Sequence, residues 1–88
     1  MTGETTSTVR LFAALRDAAG TAEVTVAAPV RLADLLSDLR RQFGQRFAAR
    51  LDIAAVMVDG TPVSRADDVT VPAGVEVALL PPFAGGAG

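Results

Sequence analysis

LADLLSDLRRQF, residues 32–43, decides how the rest of the chain is read. Leu32, Leu35, Leu36, Leu39 and Phe43 recur at three- and four-residue steps, which is one stripe of an α-helix. Asp34 in the first turn and Arg40 and Arg41 in the last suit the helix dipole. Gly44 is a natural stop. The stretch predicts one amphipathic helix with a single apolar face, which needs a sheet to cover.

Upstream, Thr8 to Leu15 alternates, with Val9, Leu11 and Ala13 on one side and Arg10, Phe12 and Ala14 on the other. This is strand periodicity. Glu23 to Ala27 alternates again around Val24 and Val26. Arg16 to Gly20 and Thr21 lie between the two runs, so a hairpin is expected. Downstream, Gln45 to Asp52 fits a short extra helical turn packing Phe47 and Leu51. Ile53 to Val58 reads as a third strand. Asp59-Gly60 signals a tight turn, and Thr61 to Val63 returns as a short strand held at an edge by Pro62. Ser64 to Gly74 reads as a polar loop containing Val69 and Val71. Val75 to Leu80 is the last strand, followed by PPFAGGAG.

The order is two strands, a helix, two strands and a tail. The first and last strands are expected to be central and parallel, because the helix crossover places them so. One core should hold Val9, Leu11, Val24, Val26, Leu32, Leu35, Leu36, Leu39, Val56, Val58, Val77 and Leu79. The expected organisation is a disordered arm over residues 1–7, an α+β domain over 8–80 and an extended tail over 81–88.

Composition removes whole classes of chemistry. The 88 residues suffice for one domain, and half are hydrophobic. There is no Cys and no His, so no thiol nucleophile, no thiolate metal site and no imidazole base. All eight basic residues are Arg, so the chain offers no side-chain amine for a Schiff base or an isopeptide bond. With a net charge of −2 and no basic stripe, nucleic acid is not an expected partner. No run reaches the length of a membrane helix. The polar start MTGETTS has no apolar signal region. A cytoplasmic protein is expected, with neither a membrane nor a bound metal.

VRLFAALRDAAG at residues 9–20, the helix at 32–43 and VEVALLPPFAGG at 75–86 resemble the small, sulfur-carrying subunit of molybdopterin synthase. That subunit is one of the MoaD/ThiS-like, ubiquitin-like β-grasp proteins. The resemblance spans Thr8 to Gly86. Its most specific part is the last strand running into Pro-Pro, one apolar residue, one small residue and Gly-Gly.

The resemblance implies a β-grasp fold and a carrier with no catalytic residue of its own. An E1-like adenylating enzyme would use ATP to activate the terminal glycine carboxylate, and a sulfur donor would convert it to a thiocarboxylate. No cofactor would be bound by the carrier itself. The charged tail would then enter the active site of a large catalytic subunit, and sulfur would pass to a pterin precursor of the molybdenum cofactor. By this resemblance Gly86 bears the reactive carboxylate, and Pro81, Pro82, Phe83, Ala84 and Gly85 thread the partner's active site. The residue types suit that task. Glycine lets backbone pass close to channel walls, and Pro81 and Pro82 bias the tail's root toward extended forms. A preordered tail also loses less entropy on docking.

The chain continues beyond Gly86 with Ala87 and Gly88, where members of the resembled family usually end at Gly-Gly. Three readings are open. A protease trims Ala87-Gly88, or the activating enzyme accepts a longer tail with Gly88 as its end, or the chain serves another pathway. Alternatives of that last kind are a sulfur carrier for thiamin, cysteine or a secondary metabolite, and a ubiquitin-like modifier or interaction domain.

Phe12 and Leu80 are expected on adjacent central strands, facing away from the helix, with Pro62 at the margin. An exposed apolar cluster of this kind marks a partner surface, and the resembled family docks through this face. Arg16 and Asp17 read as a solvated turn. Arg40, Arg41, Arg46 and Arg50 read as solvated helix positions rather than an anion site.

Overall fold

A computed structural model describes residues 5–82. Strand β1 (Thr6–Leu11) runs into helix α1 (Ala13–Ala19), strand β2 (Glu23–Ala27) and the short strand β3 (Val30–Arg31). The main helix α2 (Leu32–Phe43) and the short helix α3 (Gln45–Leu51) follow. Then come β4 (Ala55–Val58), β5 (Thr61–Val63), β6 (Thr70–Val71) and β7 (Glu76–Leu80). Five strands form one sheet in the order β2-β1-β7-β4-β5, and β3 pairs with β6 in a separate ribbon. The centre is the expected one: β1 and β7 lie side by side and parallel, with Val9 opposite Val77 and Leu11 opposite Leu79.

Side chains alternate across the strands, and every second one enters the core. Val9, Leu11, Val56, Val58, Val77 and Leu79 are buried on one face of the sheet. Against them α2 buries Leu32, Leu35, Leu36 and Leu39, the stripe its sequence spacing predicts. Val24 and Val26 are half-buried at the margin, since β2 is an edge strand. Gly44 closes α2 through its N–H to the Arg40 carbonyl at 3.0 Å. The anticipated helical turn after it is α3, whose Phe47 and Leu51 are fully buried. Phe47 packs on Phe43 with ring centroids 5.0 Å apart. The β4–β5 hairpin turns at Asp59 and Gly60, with φ of 52° and 78°. Both values are left-handed, which explains an Asp followed by a residue without Cβ.

Five expectations are corrected. The first strand ends at Leu11 and does not reach Leu15. Ala13 takes φ of 53°, a kink that costs an L-residue roughly 1–2 kcal/mol, and the chain turns there into α1. Leu15 is thereby buried in the core, and the segment to Gly20, expected as a turn, is a helix with Gly20 as its left-handed cap at φ 77°. β1 and β2 still pair antiparallel as a hairpin would, but across a helix. At the other end β1 begins at Thr6, inside the expected arm. Ser7 is buried and donates its hydroxyl to the Pro72 carbonyl at 2.6 Å. The segment 64–74 is not wholly loop: β6 seats Val71 in the core with no exposed surface. Finally, the third strand starts at Ala55, not Ile53.

Truncating Leu36 to Ala should cost roughly 2–5 kcal/mol in urea unfolding. Leu15→Ala should fall in the same range if α1 is part of the core. A near-zero loss for Leu15 would return residues 13–15 to an exposed strand end.

Candidate functional site

The candidate site is the end of the sheet where β7 releases the tail. Leu80 is the last residue of the central strand, and Pro81 and Pro82 follow directly. Alternation places Leu79 in the core and Leu80 on the opposite face, half-buried. Here the chain forms a cleft of about 240 Å³. Leu80, Pro81, Pro82, Phe12 and Ile53 contribute its larger apolar side chains. Ala13, Ala14, Leu15 and Arg50 complete the lining, so α1 and the end of α3 frame the tail's root.

Phe12 lines the cleft, but not from the position the strand reading gave it. It is not a strand residue. It sits in the extended junction between β1 and α1 with φ −125° and ψ 149°, and its carbonyl accepts from the Leu15 N–H at 3.1 Å. The kink at Ala13 leaves Phe12 36% exposed. Pro62 is not in the cleft. It pairs with Met57 on β4, which pairs in turn with Ala78 on β7. Paired residues share a face, so Pro62, Met57, Ala78 and Leu80 lie on the open side of the sheet, leading toward the cleft. Phe83, Ala84, Gly85 and Gly86, together with Ala87 and Gly88, lie outside the described residues.

Sequence reasoning missed Ile53, the most exposed large apolar residue of the described chain at 54%. The signal was present. Phe47, Leu51 and Ala54 are buried at helix-like steps, and Val56 and Val58 continue the inward set at strand steps. Ile53 belongs to neither stripe. The Ala54 carbonyl beside it accepts a 2.5 Å bond from Arg65, which ties the Ile53 loop to the segment after β5.

Charge is distributed unevenly around this end. Arg10 pairs with Glu76 at 3.2 Å, Arg31 with Asp68 at 2.7 Å and Arg40 with Asp52 at 2.6 Å; Arg41 pairs with Asp38. Arg46 and Arg50, both exposed on α3, form no ion pair among the described residues. Among the described residues no group of three or more His, Cys, Asp or Glu could hold a metal ion. No described helix is long and apolar enough to cross a membrane.

The profile of the ThiS family matches residues 9–86. The chain belongs to the ThiS family. No curated relative matches it significantly in sequence. Among solved structures, small archaeal modifier protein 1 from Haloferax volcanii is 26% identical with a TM-score of 0.71, over 92% of this chain and 99% of that one. A Pyrococcus furiosus protein provisionally described as molybdopterin converting factor subunit 1 superposes with a TM-score of 0.74 at 24% identity, over 88% of this chain and 97% of that one. A complex of subunits 1 and 2 of molybdopterin-converting factor from Helicobacter pylori contains a chain with a TM-score of 0.68 at 20% identity, over 92% and 99%. These likenesses confirm the ubiquitin-like β-grasp fold, and this ThiS-family chain is of the sulfur-carrier or ubiquitin-like-modifier type.

As surface residues, Phe12 and Ile53 should tolerate polar substitution. Phe12→Arg and Ile53→Asp should each cost less than about 1 kcal/mol in urea unfolding. A loss of core magnitude would show that the cleft is closed in solution.

Proposed function

We propose that this protein is the sulfur carrier of a molybdopterin synthase, and that its tail glycine carries the sulfur as a thiocarboxylate. The observation that carries the reading is the union of tail root and apolar cleft at one end of the central strand. A partner gripping Phe12, Ile53 and Leu80 would hold Pro81 and Pro82 at a fixed place, and so aim whatever follows. Membership of the ThiS family and the fold shared with molybdopterin converting factor subunits support it.

The chemistry asks little of the carrier's side chains. A carboxylate resists nucleophilic attack at neutral pH. Transfer of adenylate from ATP forms a C–O–P anhydride and releases pyrophosphate. Hydrosulfide released by the sulfur donor then attacks the carbonyl, its S–C bond forms as the C–O bond to AMP breaks, and loss of the S–H proton leaves the thiocarboxylate. The acid-base and sulfur-delivering groups belong to the adenylating enzyme and the sulfur donor, and the large catalytic subunit accepts the charged tail. Gly86 is the functional terminus in this reading, and a protease removes Ala87-Gly88. Activation places one carboxylate beside the α-phosphate of ATP, and such proximity is sensitive to shifts of about 1 Å. Two further residues lengthen the tail by up to roughly 7 Å.

A second reading has its own support. Small archaeal modifier protein 1 is 26% identical over nearly the whole chain, so a protein modifier joined through the same activated carboxylate is its natural rival. With no Lys in its sequence, this chain could be attached to other proteins but could not extend itself through side-chain isopeptide bonds.

Chains ending at Gly86 and at Gly88 should be offered to the organism's adenylating enzyme with ATP and a sulfur donor, and their masses read. The shorter chain should exchange one oxygen for sulfur, and the longer should not. Thiolation of the longer chain with Ala87-Gly88 retained would move the reactive carboxylate to Gly88. No thiolation of the shorter chain would overturn the carrier reading. Phe12→Arg should fold normally and weaken capture by the large subunit by about tenfold or more.

A further inference from the structure

α1 and α3 pack side by side next to the tail's root, and their charge is one-sided. They carry Arg16, Arg46 and Arg50 against a single carboxylate, Asp17, on a chain whose net charge is −2. None of the three arginines forms an ion pair among the described residues, although four of the other five do. Arg46 and Arg50 sit one helical turn apart and line a groove of about 340 Å³ between the two helices. Its remaining lining is Asp17 and three small alanines, Ala14, Ala18 and Ala49. The groove is open, and Arg46 and Arg50 are both exposed.

Arg50 and Ala14 also line the apolar cleft. The two depressions are therefore one continuous surface, apolar at the tail's root and cationic on its α1–α3 side.

We propose that this arginine groove is a docking element for an acidic segment of the adenylating enzyme, set beside the apolar contact that holds the tail's root. The proposal rests on the carrier reading above. Charge complementarity supplies the partner's sign: two unpaired guanidiniums suit carboxylates, which they can grip in bidentate fashion. The carrier's cycle supplies the partner's identity. A carrier must reach the activating enzyme, leave it charged, and return after each delivery. Exposed charges at the rim of an interface raise the association rate more than they slow dissociation, which suits a repeated, short encounter. A chain of negative net charge needs such a local positive patch to be steered in one orientation.

The test compares two variants of equal net charge: Arg46→Glu/Arg50→Glu in the groove, and Arg31→Glu/Arg41→Glu outside it. Stopped-flow association with the adenylating enzyme is read at low and high salt, alongside ATP–pyrophosphate exchange. Wild type should associate faster at low salt. The groove variant should lose about tenfold or more of that rate and most of its salt dependence, raising KM in exchange far more than it lowers kcat. Arg46→Lys/Arg50→Lys should recover most of the rate. The control should stay within about twofold of wild type. Equal slowing of both variants would show that only net charge matters, and an unaffected groove variant would remove the docking element; either result overturns the proposal. So would normal activation with impaired binding to the large subunit, which would assign the groove to that partner. Failure of wild type itself to be adenylated would instead overturn the carrier reading.

Discussion

The parallel pairing of β1 with β7 is the contact on which the rest depends. It joins residues near the two ends of the chain, and it seats Val9, Leu11, Val77 and Leu79 together in the core with at most 2% of each exposed. Full burial of such side chains is worth roughly 1.5–3 kcal/mol each. The pairing also fixes a direction. Because the strands run parallel, the end of β1 and the end of β7 emerge at the same edge of the sheet. Phe12 follows one strand and Pro81 the other, so the exposed Phe12 and the root of the tail are neighbours by topology.

The same alternation that builds the core builds the working surface. Leu79 points inward and Leu80 outward, one residue before the first proline. At the end of β1, the kink at Ala13 turns Phe12 out while returning Leu15 to the core. The apolar cleft is thus a by-product of how two strands end, bordered by the α1–α3 pair. No described residue there needs to act as acid, base or nucleophile for the proposed chemistry. In the proposed reading the scaffold has only to present the root of the tail beside a surface that other proteins can grip.

Much of this was legible in the sequence. The leucine stripe of α2, the Asp59-Gly60 turn, the edge position of Pro62 and the parallel central strands follow from spacing and turn chemistry. What was not legible has particular causes. Ala13 and Ala14 fit strand and helix alike, so the alternation of Val9 and Leu11 ran on past its true end and hid α1. Arg16 to Gly20 contains no large apolar residue to reveal a helical stripe; Leu15, Ala18 and Ala19 form it only once the strand is ended at Leu11. β3 and β6 have two residues each, too few for any period. Phe12, Leu80 and the two prolines stood out in the sequence and line one cleft, while Ile53 and Arg50, which line it with them, lie at or just after the end of α3, where exposure depends on tertiary packing.

The central claim is that a carboxylate at the end of β7's extension carries sulfur. The intact mass of the protein isolated from its native cell tests this most directly. The account predicts a population ending at Gly86 in which one carboxylate oxygen is replaced by sulfur. A population ending at Gly88 with an unmodified carboxylate, present whenever the pathway is active, would contradict it.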